Sequence, residues 1–204
     1  MSEEALGRYA RLVRQYHGTL DLVSGSGLRD LPALIAEGER YAELIAEVAG
    51  PMATVVDLGS GAGLPGVVVA ASLPTAFVHL VERRRRRGAF LAMAAARLGL
   101  SNVRVWTCDV QDVEGVCADA VTAQAVAGFA DVAGLTRHLH RDPCYLLSRR
   151  GPGWESELAA LDEALQVEAD GGAAVAVAAE RPLERDGTLV ALRLAGGPAC
   201  RPSA

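Results

Sequence analysis

The first fifty residues carry apolar side chains at the spacing of amphipathic helices. Apolar residues recur every three or four positions through residues 6–20, and the same spacing returns through residues 34–48. The second stretch stops at Gly50-Pro51, a pair that ends helices. Between the two stretches lies Ser-Gly-Ser-Gly at residues 24–27. The pattern therefore predicts two N-terminal helices joined by a flexible turn.

After residue 53 the pattern changes to short apolar runs that alternate with helical stretches. Such alternation is typical of βαβ units around a parallel sheet, and strands that are apolar at nearly every position suit a sheet covered by helices on both faces. Two helices have the clearest apolar spacing, at residues 85–98 and 154–165. Seven runs predict strands, at residues 54–58, 76–81, 103–107, 120–122, 144–148, 173–178 and 188–194.

The last two predicted strands are joined by residues 180–187, which are too few for a crossover helix. Strands joined so closely form a hairpin and run antiparallel. We therefore predict an α/β fold with a mostly parallel seven-stranded sheet, an antiparallel edge strand and N-terminal helices. The predicted organisation is an N-terminal helical extension at residues 1–50 and one α/β domain at residues 51–204.

Length and composition suit one compact core. The chain has 204 residues, of which 50% are hydrophobic, and its formal net charge of -5 gives no global positive field for nucleic acid. Any basic site must therefore be local. No apolar run approaches the ~20 residues that cross a bilayer, and the N-terminus lacks the basic start and apolar core of a secretory signal. We expect a cytoplasmic protein without a membrane segment.

The cysteines and histidines have no spacing that is typical of a metal site, so we expect no bound metal. Cys108, Cys117, Cys144 and Cys200 are too far apart for a Cys-x-x-Cys pair, and nothing marks an oxidising compartment. Free cysteine usually behaves as a small hydrophobic residue. We interpret all four as buried or incidental thiols.

A glycine-rich segment follows the first predicted strand and opens a helix. It reads Val-Val-Asp-Leu-Gly-Ser-Gly-Ala-Gly-Leu-Pro-Gly over residues 55–66. Glycines let a backbone turn sharply and approach a ligand closely. Gly61, Gly63 and Gly66 also satisfy the dinucleotide pattern GxGxxG, with Glu82 about 20 residues beyond to bind a ribose hydroxyl. The segment predicts a nucleotide-containing cofactor, and by itself it leaves a nicotinamide oxidoreductase open.

Acidic residues at the strand ends favour S-adenosylmethionine over a dinucleotide. Asp57 lies two residues before Gly59, where its carboxylate can face an ammonium group but would repel a pyrophosphate. Glu82 can accept from both ribose hydroxyls, and Asp109 after the third strand can accept from the adenine amino group. For Asp109, a solvated acid at the strand end is an equally good interpretation. The predicted cofactor-binding residues are Asp57, Gly59, Ser60, Gly61, Gly63, Glu82, Asp109 and Val110.

The segment from Asp57 to Gly66, DLGSGAGLPG, closely resembles the RsmG (GidB) family of bacterial methyltransferases. The likeness continues through Leu80-Val81-Glu82 and covers roughly residues 20–151. Members of this family modify a guanine N7 in small-subunit (16S) ribosomal RNA. The resemblance implies a class I, Rossmann-like methyltransferase fold and S-adenosylmethionine as the cofactor. It also implies ribosomal RNA or the small ribosomal subunit as the partner.

The chain resembles a divergent member of that family. Asp21-Leu22-Val23 stands where the family usually has Asn-Leu-Thr, and residues 37–44 lack its His followed by Asp-Ser. Gln124, after the fourth strand, occupies the position of a family arginine, whereas Arg150-Gly151 is similar to the family's Lys-Gly after the fifth strand. The resemblance implies catalytic roles for Gln124 and Arg150.

The sequence has five consecutive arginines at residues 83–87, here called the arginine run. They lie at the junction between the second predicted strand and the helix that follows it. Cations at a helix N-terminus oppose the helix dipole, so a purely local stabilising role is unattractive. Guanidinium groups match the geometry of phosphate. We predict that Arg83, Arg84, Arg86 and Arg150 bind RNA phosphates, and a solvated charge run is the equally weighted alternative.

The sequence supports one leading hypothesis, an RNA methyltransferase that acts on a guanine N7. A guanine N7 already has an available lone pair, so alignment can supply most of the catalysis and no general base is required. Three alternatives stay open at this point. They are a methyltransferase with a different acceptor, a non-catalytic homologue that binds S-adenosylmethionine or the ribosome, and a nicotinamide oxidoreductase.

Overall fold

The computed structural model describes residues 3–124, 127–168, 174–184, 187–195 and 200. Three helices precede the first strand: α1 (Glu3–Leu20), α2 (Gly25–Arg29) and α3 (Leu31–Val48). The flexible turn predicted at residues 24–27 is wrong, because these residues begin α2. The Ser24 side chain caps this short helix by accepting a hydrogen bond from the Gly27 N–H at 3.0 Å.

The rest of the chain alternates strands and helices as the apolar pattern predicts. All seven predicted strands are present, and the first strand and the helix at residues 85–98 have the predicted bounds. The strands are β1 (Thr54–Leu58), β2 (Phe77–Val81), β3 (Val103–Trp106), β4 (Ala118–Ala123), β5 (His140–Arg150), β6 (Ala174–Pro182) and β7 (Thr188–Ala195). The helices between them are α4 (Gly66–Ser72), α5 (Arg85–Leu98), α6 (Phe129–Thr136) and α7 (Ser156–Glu168).

The strands form one seven-stranded sheet in the order β3-β2-β1-β4-β5-β7-β6. Strands β1 to β5 are parallel, and β7 is antiparallel to both β5 and β6. The mostly parallel sheet and the closing hairpin are therefore confirmed. The antiparallel strand itself lies one place in from the edge, and β6 is outermost. Burial explains this order, because Leu189 to Leu192 of β7 are fully buried whereas Val177 of β6 is 41% exposed.

Each face of the sheet is covered by its own apolar core. On one face the core includes Tyr9 of α1, Ile45 of α3 and Leu91 of α5. On the other face it includes Phe129 of α6 and Leu161 of α7. The N-terminal helices thus pack into the same core as one face of the sheet, which holds them beside the ends of its strands.

A disulfide joins Cys117 and Cys200, so the interpretation of all four cysteines as thiols is wrong for this pair. The two residues are 83 positions apart in the sequence, and their Cα atoms are 5.4 Å apart. They meet because the Cys200 N–H donates to the carbonyl of His140, at the start of β5. This contact brings Cys200 beside Cys117, the residue before β4. Cys108 and Cys144 are free thiols, and Cys144 is buried.

Two features are absent from the residues that the structure describes. Within them, no helix is both long enough and apolar enough to span a bilayer. Nor does that part of the chain bring together three or more His, Cys, Asp or Glu side chains that could hold a metal ion.

Candidate functional site

The predicted site residues lie at the carboxyl ends of the parallel strands. Strands β2 and β3 follow β1 on one side of the sheet, whereas β4 and β5 lie on its other side, so the strand order reverses between β1 and β4. Ligands of open α/β sheets bind in the crevice at such a switch point. A cleft of about 650 Å³ opens there, lined by residues 59–62 after β1, Gln124 after β4, and Arg149 and Arg150 at the end of β5. A second groove, of about 710 Å³, lies between α3 and the end of β6, and no predicted site residue lines it.

The glycine loop, residues 59–66, is rooted firmly in the sheet. Gly59, Gly61 and Gly63 have φ angles of 70°, 53° and 95°, in the left-handed region that favours glycine. A Cβ at Gly63 would also collide with the side chain of Val67. The N–H groups of Gly59 and Ser60 both donate to the carbonyl of Val81, at 2.9 and 3.1 Å. The loop therefore has a shape that favours glycine at these positions, most strongly at Gly63.

Glu82 links the glycine loop to the start of α5. The residue is 6% exposed, and its Oε2 accepts from the Gly61 N–H at 3.1 Å. Its Oε1 accepts from the N–H of Arg84, the residue that caps α5, at 2.8 Å. A carboxylate has about four lone-pair positions, so both oxygens can still accept from a further donor. Glu82 thus has the place and the acceptor capacity that were predicted for a ribose-binding acid.

Asp57 lies beneath the glycine loop and does not line the cleft. It is 1% exposed, and its Oδ1 accepts from the Thr122 hydroxyl at 2.7 Å. Burial raises the pKa of Asp57 from its ordinary value to about 6, and hydrogen bonds from Thr122 and the Gly66 backbone offset only part of that rise. A Cβ at Gly66 would stand 2.5 Å from Asp57 Oδ2. Asp57 is therefore placed to support the loop from below.

The raised pKa of Asp57 predicts a measurable pH dependence of stability. The pKa is 3.8 for an ordinary aspartate and about 6 in the folded chain. The folded state therefore binds the proton more tightly, so this group lowers the free energy of unfolding as the pH rises from about 4 to about 6. Asp57→Asn removes the titration. Relative to the wild type, the variant should gain about 2 kcal/mol in the free energy of unfolding between pH 4 and pH 7.

Urea denaturation of both proteins across this pH range measures the difference. Titrations shared by the two proteins, such as those of His79 and His140, cancel in the comparison. A difference that stays constant with pH would contradict the assigned cause, because it would mean that Asp57 has the same proton affinity in the folded and unfolded chains.

Asp109 and Val110 follow β3 and have local structural contacts. Asp109 is exposed and caps a short 3₁₀ turn, where its Oδ1 accepts from the Gln111 N–H at 3.2 Å. Val110 is buried in the core under α6. Neither residue lines the cleft. The segment that leads to them begins beside the end of β2, because the Glu82 N–H donates to the carbonyl of Trp106 at the end of β3.

The arginine run divides into exposed residues and one structural residue. Arg83, Arg84, Arg85 and Arg86 are exposed, and their side chains form no ion pair with the residues that the structure describes. Arg87 instead turns inward and donates to the carbonyls of Leu20 and Asp21 at the end of α1. The four exposed guanidinium groups are available to a phosphate ligand, whereas Arg87 ties α1 to α5.

Arg150 is committed mainly to packing. Its side chain is 13% exposed, and its guanidinium carbon lies 4.1 Å from the centre of the Phe129 ring. One terminal nitrogen is 3.6 Å from Glu157 Oε2, and the other donates to the carbonyl of Ala127 at 3.0 Å. Arg150 thus reaches the cleft, but its guanidinium group contacts residues of α6 and α7. These contacts suit a positioning role better than direct contact with a reacting atom.

Gln124 contacts a buried acid that the sequence analysis did not identify. Its Nε2 donates to Oε1 of Glu37 on α3 at 2.8 Å, and Glu37 is 5% exposed. The other carboxylate oxygen of Glu37 is 3.9 Å from the Nε of Arg149. The Arg149 N–H donates to the hydroxyl of Tyr41, also on α3. One signal in the sequence could have revealed this network, because Glu37 interrupts the apolar stripe of α3 at a position four residues before Tyr41.

The N-terminal segment forms a wall of the cleft. Leu22, Val23 and Leu34 line it opposite the glycine loop. The hydroxyl of Tyr9, a fully buried residue of α1, donates to the carbonyl of Ala62 in the loop at 2.9 Å. Burial raises the pKa of Tyr9, so the hydroxyl stays a donor. The first helix is therefore hydrogen-bonded directly to the glycine loop.

Comparison with known proteins gives a family match over most of the chain. The GidB family model, described as rRNA small subunit methyltransferase G, matches residues 2–183. The ribosomal RNA small subunit methyltransferase G of Neisseria gonorrhoeae (strain NCCP11945) is 32% identical over 167 residues, which are 82% of this chain and 79% of the relative. The protein of the same name from Thermobifida fusca (strain YX) is 38% identical over 152 residues, which are 74% and 63%.

Solved structures with low sequence identity share the fold. Cofactor-bound Rv0187 from MTB aligns with a TM-score of 0.65 at 15% identity, over 97% of this chain and 92% of its own. The O-methyltransferase TomG from Streptomyces achromogenes aligns with a TM-score of 0.60 at 16% identity, with the same two coverages. These likenesses confirm the predicted Rossmann-like fold class.

Proposed function

We propose, from the premise that this chain belongs to the rRNA small subunit methyltransferase G (GidB) family, that it methylates a guanine N7 in small-subunit (16S) ribosomal RNA. Family membership makes the chain a methyltransferase, and the acceptor atom and the residue roles are our proposal. The observation that carries it is the glycine loop at the switch point of the sheet, closed onto Glu82 on one side and facing Gln124 across the cleft.

S-adenosylmethionine fits the residues around the glycine loop. A Cβ at Gly61 would meet no atom closer than 3.7 Å, so the loop has open space for a ligand against its backbone there, whereas Gly63 packs against Val67. We assign binding of the amino-acid and ribose portions to Gly59, Ser60, Gly61, Gly63 and Glu82. Asp57 would hold the loop in shape from beneath, and Asp109 and Val110 would flank the adenine beside the end of β2.

Methyl transfer to a guanine N7 requires mainly that the protein align the methyl group with the acceptor base. When bound, S-adenosylmethionine supplies an activated methyl group that a guanine N7 lone pair can accept without a proton transfer. The chain's own residues then need to exclude water and hold the base in line, which can contribute effective molarities of ~10⁵ M or more. We assign contact with the base to Gln124, which lines the cleft, and we assign to Arg150 the support of the cleft wall through Phe129 and Glu157.

RNA binding is assigned to the exposed arginines beside the cleft. Arg83, Arg84 and Arg86 end their side chains at the surface next to Glu82, where they can meet phosphates of ribosomal RNA or of the small ribosomal subunit. We further propose that residues 1–50 form a helical extension that walls the cleft, and that residues 51–204 are the methyltransferase domain. The hydrogen bond from Tyr9 to the glycine loop supports the proposed role of the helical extension as a wall of the cleft.

One observation favours a second candidate, a methyltransferase with a different acceptor. Gln124 presents an amide to the cleft at the position where the family resemblance leads one to expect a cation, and the carboxylate of Glu37 lies directly behind it. A negative charge close to the acceptor would suit a substrate that offers hydrogen-bond donors. Guanine also offers such donors, so this observation alone does not displace the ribosomal acceptor.

Transfer of a labelled methyl group tests both candidates. The acceptors should be intact small ribosomal subunits that lack the modification, RNA stripped from them, and total protein extract. We expect label in the 16S RNA, recovered as N7-methylguanosine after nuclease digestion, and none with a Glu82→Ala variant. Label in protein, or no label while cofactor binding is intact, would contradict the ribosomal assignment.

A further inference from the structure

Glu37 and Gln124 form a pair that can select the acceptor base. We propose that buried Glu37 fixes the orientation of the Gln124 amide, so that Gln124 presents its carbonyl oxygen to the cleft and accepts a hydrogen bond from the N1–H of guanine. The inference rests on the proposed function, and it names a specificity-determining residue, Gln124, and a positioning residue, Glu37.

The orientation of the amide follows from what each group can donate or accept. A carboxylate only accepts hydrogen bonds, whereas an amide has a donor end and an acceptor end. Gln124 Nε2 lies 2.8 Å from Glu37 Oε1, so the donor end faces the acid. Turning the amide over would place two oxygen atoms together at a site where Glu37 is only 5% exposed and water can do little to screen them.

Glu37 is itself held in place by two elements of the fold. Its second oxygen is 3.9 Å from the guanidinium of Arg149, at the end of β5. The backbone of Arg149 is in turn bonded to the Tyr41 hydroxyl at 2.8 Å, and Tyr41 is fully buried one turn further along α3. The acid therefore cannot easily swing away to release the amide. Glu37 is thus held between Gln124 and Arg149, which both line the cleft.

The exposed end of the amide distinguishes guanine from other purines. Gln124 lines the cleft together with the glycine loop, while Glu37 lies behind it. With its donor end directed at Glu37, the amide offers the carbonyl oxygen as an acceptor. Guanine carries a donor at N1, whereas adenine and 2-aminopurine carry a lone pair there. An acceptor at this position gains a hydrogen bond from guanine and meets a repulsive lone pair in the other two bases.

Base analogues at the methylated position provide a direct test. The substrate is a short RNA that contains the guanine identified in the labelling experiment, made with guanine, with inosine or with 2-aminopurine at that position. Inosine keeps the N1–H and loses only the amino group, so it is the matched control base. The measured quantity is the ratio of kcat/KM for guanine to kcat/KM for 2-aminopurine. Both RNAs are assayed with the same sample of each protein, so the ratio does not depend on the fraction of a variant that is folded.

We expect the ratio to fall about tenfold in Gln124→Leu, because leucine offers no acceptor. Glu37→Gln should lower it nearly as much, since glutamine at position 37 can either donate or accept and lets the neighbouring amide turn over. In a Gln124→Leu background, Glu37→Gln should change nothing further, because Glu37 acts through Gln124. The ratio of guanine to inosine should be the same in all four proteins.

Two results would overturn the inference while leaving the proposed function intact. One is a guanine to 2-aminopurine ratio that Glu37→Gln leaves unchanged. The other is an effect of Glu37→Gln that persists when residue 124 is leucine. If the wild-type protein transfers no methyl group to guanine, the proposed function fails and this inference fails with it. Equilibrium binding of the same RNAs without cofactor gives a second readout, in which the wild type should prefer guanine over 2-aminopurine and Gln124→Leu should not.

Discussion

Replacing Glu82 with alanine should weaken the binding of S-adenosylmethionine about 100-fold or more. The carboxylate holds the Gly61 N–H at 3.1 Å and the Arg84 N–H at 2.8 Å, and we propose that it also accepts from the ribose hydroxyls. Hydrogen bonds to a charged group contribute about 1.5 to 3 kcal/mol each. The loss of two such bonds to the ligand accounts for the expected factor, and loosening of the glycine loop would add to it. Calorimetric titration with S-adenosylmethionine and with its demethylated product measures the change.

Matched variants separate the site from a general loss of charge. Glu114→Ala removes an exposed acid from the segment after β3, and it should leave the affinity unchanged. Glu82→Gln keeps the shape but exchanges one acceptor for a donor, so an intermediate affinity is expected. NAD should not raise the melting temperature of the wild type, although S-adenosylmethionine should. Equal affinity of Glu82→Ala and wild type for S-adenosylmethionine would place the cofactor elsewhere.

The sheet was predictable because its strands are short, apolar and separated by helices. The bounds of β1 and α5 match the sequence pattern at both ends. Order within the closing hairpin was not predictable, because periodicity indicates that β6 and β7 pair but not which of them adds to β5. The order is seen only in the burial of the folded chain, where β7 is the more deeply buried strand and β6 lies at the edge. The short helix α2 was missed for a different reason, because one side-chain cap at Ser24 outweighs the flexibility that serine and glycine suggest.

One part of the candidate site could be predicted from the sequence, and another part could not. The glycine loop and Glu82 follow two neighbouring parallel strands, so their sequence positions alone bring them together. Glu37 and Gln124 are 87 residues apart, and only the tertiary fold brings the two side chains together. The different fates of Arg86 and Arg87 depend on which side of α5 faces α1, which a run of identical residues does not reveal.

Replacing Arg83, Arg84 and Arg86 together with glutamine should weaken RNA binding about 100-fold at 0.1 M salt. Each arginine that contacts a phosphate releases counterions, so each loss should reduce the slope of log affinity against log salt by ~0.7 to 0.9. Three contacts therefore predict a slope smaller by about 2 to 3. The three side chains are exposed and without ion pairs among the described residues, so the substitutions should leave the fold and the cofactor affinity unchanged. Binding of 16S RNA fragments over a series of salt concentrations measures the slope.

A second triple variant provides the control for net charge. Arg40, Arg141 and Arg181 are also exposed, but each already pairs with an acid, at 2.9, 2.9 and 2.7 Å. Their replacement with glutamine also removes three positive charges, so any long-range effect of the net charge should be equal in the two variants. A specific contact should lower the slope only when the residues beside Glu82 are changed. An equal loss in both variants would mean that the arginine run attracts RNA at a distance without binding its phosphates, and an unchanged slope in both would make the run a solvated surface.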